Sequence, residues 1–154
     1  MVTSPTERLA QLGLTLPPVP APVAAYVPAV RAGQYVYSSG QVPMVDGELA
    51  ATGLVGADVD ESDAKQFARI CALNALAAVN SVVPLDSVRA VVKVVGFVAS
   101  APGFFGQPAV VNGASELLGE VFGGSGHARS AVGVASLPLN APVEVELIVE
   151  VADD

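Results

Sequence analysis

Val143–Val151 reads VEVELIVEV. Strict alternation of apolar and mostly charged residues predicts a β-strand with one buried face. Successive side chains leave a pleated strand on opposite sides, and a slip of one residue would expose the whole apolar set. Val143, Val145, Leu147, Val149 and Val151 take the buried face, and Glu144, Glu146 and Glu150 take the other. The preceding segment predicts a partner strand over Arg129–Ser136, joined through Leu137–Pro142 as a hairpin. Arg129, Ala131, Gly133 and Ala135 then share a face, which also carries the glutamates if the loop holds an even number of residues. Only alanine and glycine lie between the charges, which leaves space above the sheet. A fixed arginine over such a floor suits a planar carboxylate, held by two hydrogen bonds, and a nearby glutamate suits the activation of water. The plainer reading is a solvated face in which Arg129 pairs with a glutamate. In either case Arg129 and Glu144 sit about 13–20 Å apart along the hairpin, at ~3.3 Å per residue. They serve one small ligand only across a subunit boundary.

Ser4-Pro5-Thr6-Glu7 predicts a capped helix over Pro5–Leu12, stopped by Gly13, and Pro17–Val23 predicts an extended lead-in. Tyr26–Arg31 and Gln34–Ser39 predict strands around Ala32-Gly33, and Gly40 follows as a place for close backbone approach. Asp46-Gly47 marks a turn, with a short strand over Glu48–Thr52. Asp60–Val83 predicts the longest helix, with a stripe of Ala64, Phe67, Cys71, Ala75, Ala78 and Val82 and with Asn74 beside it. Val88–Ser100 predicts a central strand covered on both faces. Pro108–Val121 predicts the second main helix. Its internal Asn112-Gly113 costs ~1 kcal/mol relative to alanine, so close packing or a ligand is expected there. The sum is an α+β domain, with a mixed β-sheet and two main helices packed on one face.

With 154 residues, one folded domain is expected, over 25–154, preceded by an N-terminal helix and Pro-rich lead-in over 1–24. Apolar residues make up 52% and charged residues 14%, against ~25% charged in typical domains. Apolar surface hidden in an oligomer is expected from that balance, against the plainer reading of an unusually Ala/Val-rich monomer. The net charge of −8 and only seven Lys and Arg residues disfavour nucleic-acid binding. The single cysteine, Cys71, is expected as a buried thiol, and one histidine with one cysteine makes no ordinary zinc site. Arg89 and Lys93 interrupt the most apolar stretch, so no membrane span is expected. The N-terminus lacks the basic and apolar regions of a signal peptide, and a soluble cytoplasmic protein is expected.

HARSAVGVASLPLNAPVEVELIVEV resembles the C-terminal signature of the Rid (YjgF) family, also called L-PSP endoribonucleases. YVPAVRAGQYVYSSGQVP resembles that family's tyrosine-bearing strand and Ser-Gly-Gln-hydrophobic-Pro motif, and VVNGASELL resembles its asparagine-bearing helix. The added N-terminal helix and the wording of these motifs resemble the longer YjgF/chorismate-mutase-like branch. The resemblance implies a chorismate-mutase-like fold, a homotrimer and three clefts between subunits. It implies hydrolysis of reactive enamines and imines to 2-keto acids and ammonia, without metal or cofactor. Arg129 would hold the carboxylate of a small metabolite and Glu144 would position the attacking water. Tyr26 would line the cleft, Gly40 would offer backbone groups and Asn112 would contribute from its helix. Position 131, often cysteine in the deaminases, is Ala131 here and implies a different ligand fit. His127 is read as a surface or capping residue at the rim. The alternatives to a 2-iminobutanoate/2-iminopropanoate type hydrolase are a non-catalytic carboxylate-binding trimer and, ranked below it, an endoribonuclease.

Overall fold

The computed structural model describes residues 2–19, 25–124 and 126–153, so residues 20–24 of the expected lead-in lie outside it. In chain order the elements are α1 (Pro5–Gln11), β1 (Ala29–Ala32), β2 (Tyr35–Ser38), β3 (Met44–Val45), β4 (Glu48–Leu49), α2 (Glu61–Asn80), β5 (Val88–Ala99), α3 (Gln107–Phe122), β6 (Ala128–Val134) and β7 (Val143–Val151). Local chemistry explains most of these boundaries. The Ser4 hydroxyl accepts from the Glu7 amide while the Glu7 carboxylate accepts from the Ser4 amide, a reciprocal cap that lets a short helix persist. Asp60 caps α2 through the amide of Asp63. Asp46 (φ 52) and Gly47 (φ 83) supply the two left-handed residues of the tight turn between β3 and β4.

Among the described residues five strands form one mixed sheet in the order β1-β2-β7-β5-β6, in which β5 and β6 run parallel and the other neighbours antiparallel. Both long helices lie on one face, so the domain is α+β. Val143, Val145, Leu147, Val149 and Val151 are all buried there, as the alternation requires. Gly96 on β5 and Gly113 on α3 set the depth of helix packing. A Cβ at Gly96 would run into Val111, and one at Gly113 would run into the carbonyl oxygen of Lys65 on α2. Close packing therefore explains the mid-helix glycine. Leu9 of α1 is buried in the same core, and Asp86 accepts from the Thr6 amide, which ties α1 to the turn before β5.

The structure corrects several sequence expectations. β6 and β7 do not form a hairpin: β5 lies between them. Their connection arches about 10 Å, two strand spacings, over the end of β5. It is held by the amides of Gly53, Ala99 and Ser100, which donate to Asn140, Pro142 and Val134 respectively. Leu139 and Asn140 turn the arch with φ of 60 and 61. Arg129 and the glutamates therefore do not share a face. In register, Arg129 lies beside Val94 and Leu147 on the helix side, and Glu144 lies beside Phe97 on the open side. The space expected above Ala131 and Gly133 is filled: Ala131 packs against the core, and a Cβ at Gly133 would meet Gln107 and Ser100.

β5 is covered by helices on one face only. The other face of the sheet exposes Val30, Tyr35, Tyr37 and Val132. Tyr26 precedes β1 rather than lying in it, and the strand expected over Glu48–Thr52 ends at Leu49. Val82, expected on the buried stripe of α2, lies beyond its end and is 41% exposed. Among the described residues no helix is long and apolar enough to cross a membrane.

Candidate functional site

The residues singled out from sequence fall into two groups on opposite faces of the sheet. The first is built around Arg129, near the start of β6. Its side chain rises toward α3, where Nη1 donates to Asn112 Oδ1 at 2.8 Å and to Ser115 Oγ at 3.2 Å, and Nη2 donates to the Pro108 carbonyl at 3.2 Å. Three N–H groups of a five-donor guanidinium are thus spent on α3, which fixes its plane. Among the described residues Nε and the remaining Nη2 hydrogen have no partner. Asn112 acts on the arginine rather than standing alone. Ser115 was not anticipated. Its signal was present as a polar residue three positions after Asn112, on the same face of an apolar helix. Ala131, two residues along the strand, packs under α3 and does not line the adjoining cavity.

That cavity, of 460 Å³, lies between α3 and the start of β6. Asn112, Ser115, Arg129 and His127 give it polar lining, and Val91, Leu118 and Phe122 give it apolar lining. His127 Nδ1 lies 3.0 Å from the Ala128 carbonyl.

The second group surrounds Glu144 on the open face. Gln41 and Val145 exchange backbone hydrogen bonds of 2.8 and 2.9 Å, which draw Gly40 over the start of β7. The fit is tight enough that a Cβ at Gly40 would collide with the Glu144 carboxylate. Ser39 accepts Val27 and Pro28 into the same end of the sheet, its hydroxyl donating to the Val27 carbonyl at 2.6 Å and its amide to that of Pro28 at 2.7 Å. This brings the chain next to Tyr26 alongside Gly40, while the Tyr26 ring itself is 60% exposed. Burial, and then the charge of Glu146 beside it, raise the Glu144 carboxyl above its ordinary value of 4.5. Cys71 is fully buried, its Sγ 3.6 Å from the Val143 carbonyl, and burial pushes its thiol well above the ordinary value. It is a core residue, as expected.

Arg129 and Glu144 differ by three positions of register along β5, roughly 10 Å, and the sheet lies between them. One chain cannot apply both to one small ligand.

Two expectations arise here. A carboxyl whose folded pKa exceeds its unfolded value binds more protons when folded, so its ionisation lowers stability as pH rises from 4.5 through the raised value. Glu144→Gln is therefore expected to flatten the dependence of Tm on pH across that window and to leave Tm at neutral pH equal or higher. An unchanged slope with a lower Tm would contradict the assignment. Gly40→Ala is expected to move Tm little, because only the flexible Glu144 side chain has to give way. Melting curves read both.

Residues 18–151 match the family model described as Endoribonuclease L-PSP. The chain is 42% identical over 146 residues to Protein TCP17 of Trypanosoma cruzi, covering 93% of this chain and 91% of that protein. It is 33% identical over 137 residues to a 2-iminobutanoate/2-iminopropanoate deaminase of Dermatophagoides farinae, covering 88% of this chain and 93% of that one. A solved structure from Agrobacterium tumefaciens, the protein Atu1372 of unknown function, superposes with a TM-score of 0.88 at 48% identity, covering 97% of this chain and 94% of that one.

Proposed function

The chain belongs to the Endoribonuclease L-PSP family, the Rid or YjgF family, and from that premise we propose that it hydrolyses 2-imino acids to 2-keto acids and ammonia in clefts between the subunits of a homotrimer. The observation that carries this reading is the separation of Arg129 from Glu144 by the sheet of one chain. Each half is finished: Arg129 is oriented by three oxygens of α3, and Glu144 is seated against Gly40. Such preparation has a use if a second copy supplies the other half. The open sheet face supports that assembly. It presents Val30 and Tyr37, 52% and 46% exposed, in register across β1 and β2, and an apolar sheet face of this kind calls for a cover.

In this reading Arg129 holds the substrate carboxylate through its uncommitted donors. Glu144 of a neighbouring copy accepts a proton from water as the oxygen bonds to the imine carbon. That proton passes to the imine nitrogen to complete the carbinolamine. Its hydroxyl proton then moves by way of the same carboxylate to the nitrogen as the C–N bond breaks and the carbonyl forms, so ammonia leaves and the keto acid remains. No redox change occurs. Orientation and a placed water are the main demands, because the imine carbon is already electrophilic. The raised pKa of Glu144 makes it a stronger base while it is ionised.

Keto-acid release from 2-iminopropanoate or 2-iminobutanoate generated in situ tests the proposal. Acceleration by the wild-type protein is expected. Tight carboxylate binding without acceleration would replace the enzyme by a metabolite-binding trimer. An endoribonuclease is disfavoured by the net charge of −8, and Lys65 and Arg69 on α2 are each paired with a glutamate of α3. RNA cleavage that survives repurification and disappears with Arg129→Ala would reverse that ranking.

A further inference from the structure

The cavity beside Arg129 is longer than a carboxylate needs. Its volume of 460 Å³ falls within the ~300–1,000 Å³ of small-molecule sites. α3 lines it with Asn112 and Ser115, then Leu118 and Gly119, then Phe122, a row on one helix face that rises about 15 Å from first to last at ~1.5 Å per residue. The polar end holds Arg129, and the far end is apolar.

Gly119 marks the purpose of that end. Glycine weakens a helix interior, and at Gly113 and Gly96 close packing accounts for it. At Gly119 a Cβ would meet no atom within 4 Å. Packing does not require glycine there, and the room it leaves belongs to the cavity. Gly124 and Gly126, with φ of 74 and 82, keep another wall equally bare. Among the described lining residues there is no Asp or Glu to receive a cationic tail.

We propose that the groove between α3 and β6 is the side-chain subsite, and that it selects 2-imino and 2-keto acids with branched or aromatic apolar side chains over the smallest ones. As a statement about turnover this rests on the deaminase reading; as a statement about binding it does not. Arg129 fixes the carboxylate, the C2 centre lies at the mouth where a neighbouring copy reaches it, and the side chain runs along α3 toward Phe122.

The test uses the stable keto acids as probes. Pyruvate, 4-methyl-2-oxopentanoate and phenylpyruvate are titrated calorimetrically into the assembled protein, and the corresponding imines are compared by kcat/KM. A methylene in an apolar pocket is worth at least about tenfold, so the larger acids are expected to bind the wild type at least ~10-fold more tightly than pyruvate. Gly119→Leu fills the groove and should bring that ratio to about one, with Gly119→Ala between. A wild-type ratio near one, or a ratio unchanged in both variants, would overturn the proposal. If Gly119→Leu fails to fold, Gly119→Ala, whose Cβ has clear space, reads the same ratio. Should no imine be hydrolysed while the binding ratio behaves as stated, the subsite stands and the deaminase reading falls.

Discussion

For the proposed imine hydrolysis, Arg129→Ala is expected to lower kcat/KM by roughly 30- to 4,000-fold. Removing one partner of a desolvated, hydrogen-bonded charge contact costs about 2–5 kcal/mol, at about 1.4 kcal/mol per tenfold. Two losses combine. The substrate carboxylate loses its cation, and Asn112 and Ser115 lose the donor that they share on Nη1. Arg129→Lys keeps the charge and separates these effects. An ammonium has three donors on one nitrogen, and cannot serve Asn112, Ser115, the Pro108 carbonyl and both oxygens of a carboxylate. The lysine variant should therefore lose most of the activity too, chiefly in KM. If Arg129→Lys retained wild-type kinetics, Arg129 would be acting as a general positive charge and the oriented fork would have no role. Melting curves for both variants keep a folding defect apart from a lost contact.

Gly113→Ala is expected to destabilise the fold by up to about 2 kcal/mol. Overpacking typically costs 1–3 kcal/mol, and the ~1 kcal/mol of helix propensity gained by alanine offsets only part of it. The obstacle at Gly113 is the main-chain carbonyl of Lys65, which cannot rotate aside as a side chain would. α2 offers α3 a surface of small residues here, with Ala64, Ala68 and Ala72 fully buried, so the two helices must separate to admit the methyl. At that upper value Tm falls by roughly 4–8 °C in a chain of this length. Gly119→Ala, six residues further along α3, should move Tm the other way, since its Cβ has open space. Two equal shifts would show that helix propensity alone governs these positions, against the packing argument.

Where local chemistry decides an element, the sequence is a sufficient guide. The alternation of Val143–Val151 specifies β7 residue for residue, and Ser4, Glu7 and Asp60 place helix starts through their own hydrogen bonds. What escaped was the partner of β6. A short connection after a strand suggests a hairpin, and 135–142 is long enough either to close one or to arch over β5. The choice is made by α3, which carries the chain from β5 back to a parallel start and takes the edge beside it. That is a tertiary decision with no local signature. Because it sets the face on which Arg129 emerges, the site was misplaced with it: the charged pair was visible, but not the sheet between them. Gly40 and Gly113 were legible as places of close approach, and only the structure supplies what approaches. Gly119 carried the same signal as Gly113, a glycine inside a predicted helix, but only the structure shows that nothing packs on it.

The central claim is that Arg129 of one copy and Glu144 of another form one site. Mixing Arg129→Ala with Glu144→Gln chains, each expected to lose most of its activity alone, tests it directly. If trimers assemble at random from equal amounts, one cleft in four receives an intact Arg129 from one chain and an intact Glu144 from the next, and about a quarter of wild-type activity returns. If activity stays at the level of the separate variants while mass measurement confirms mixed trimers, the two residues do not act across an interface and the account is wrong.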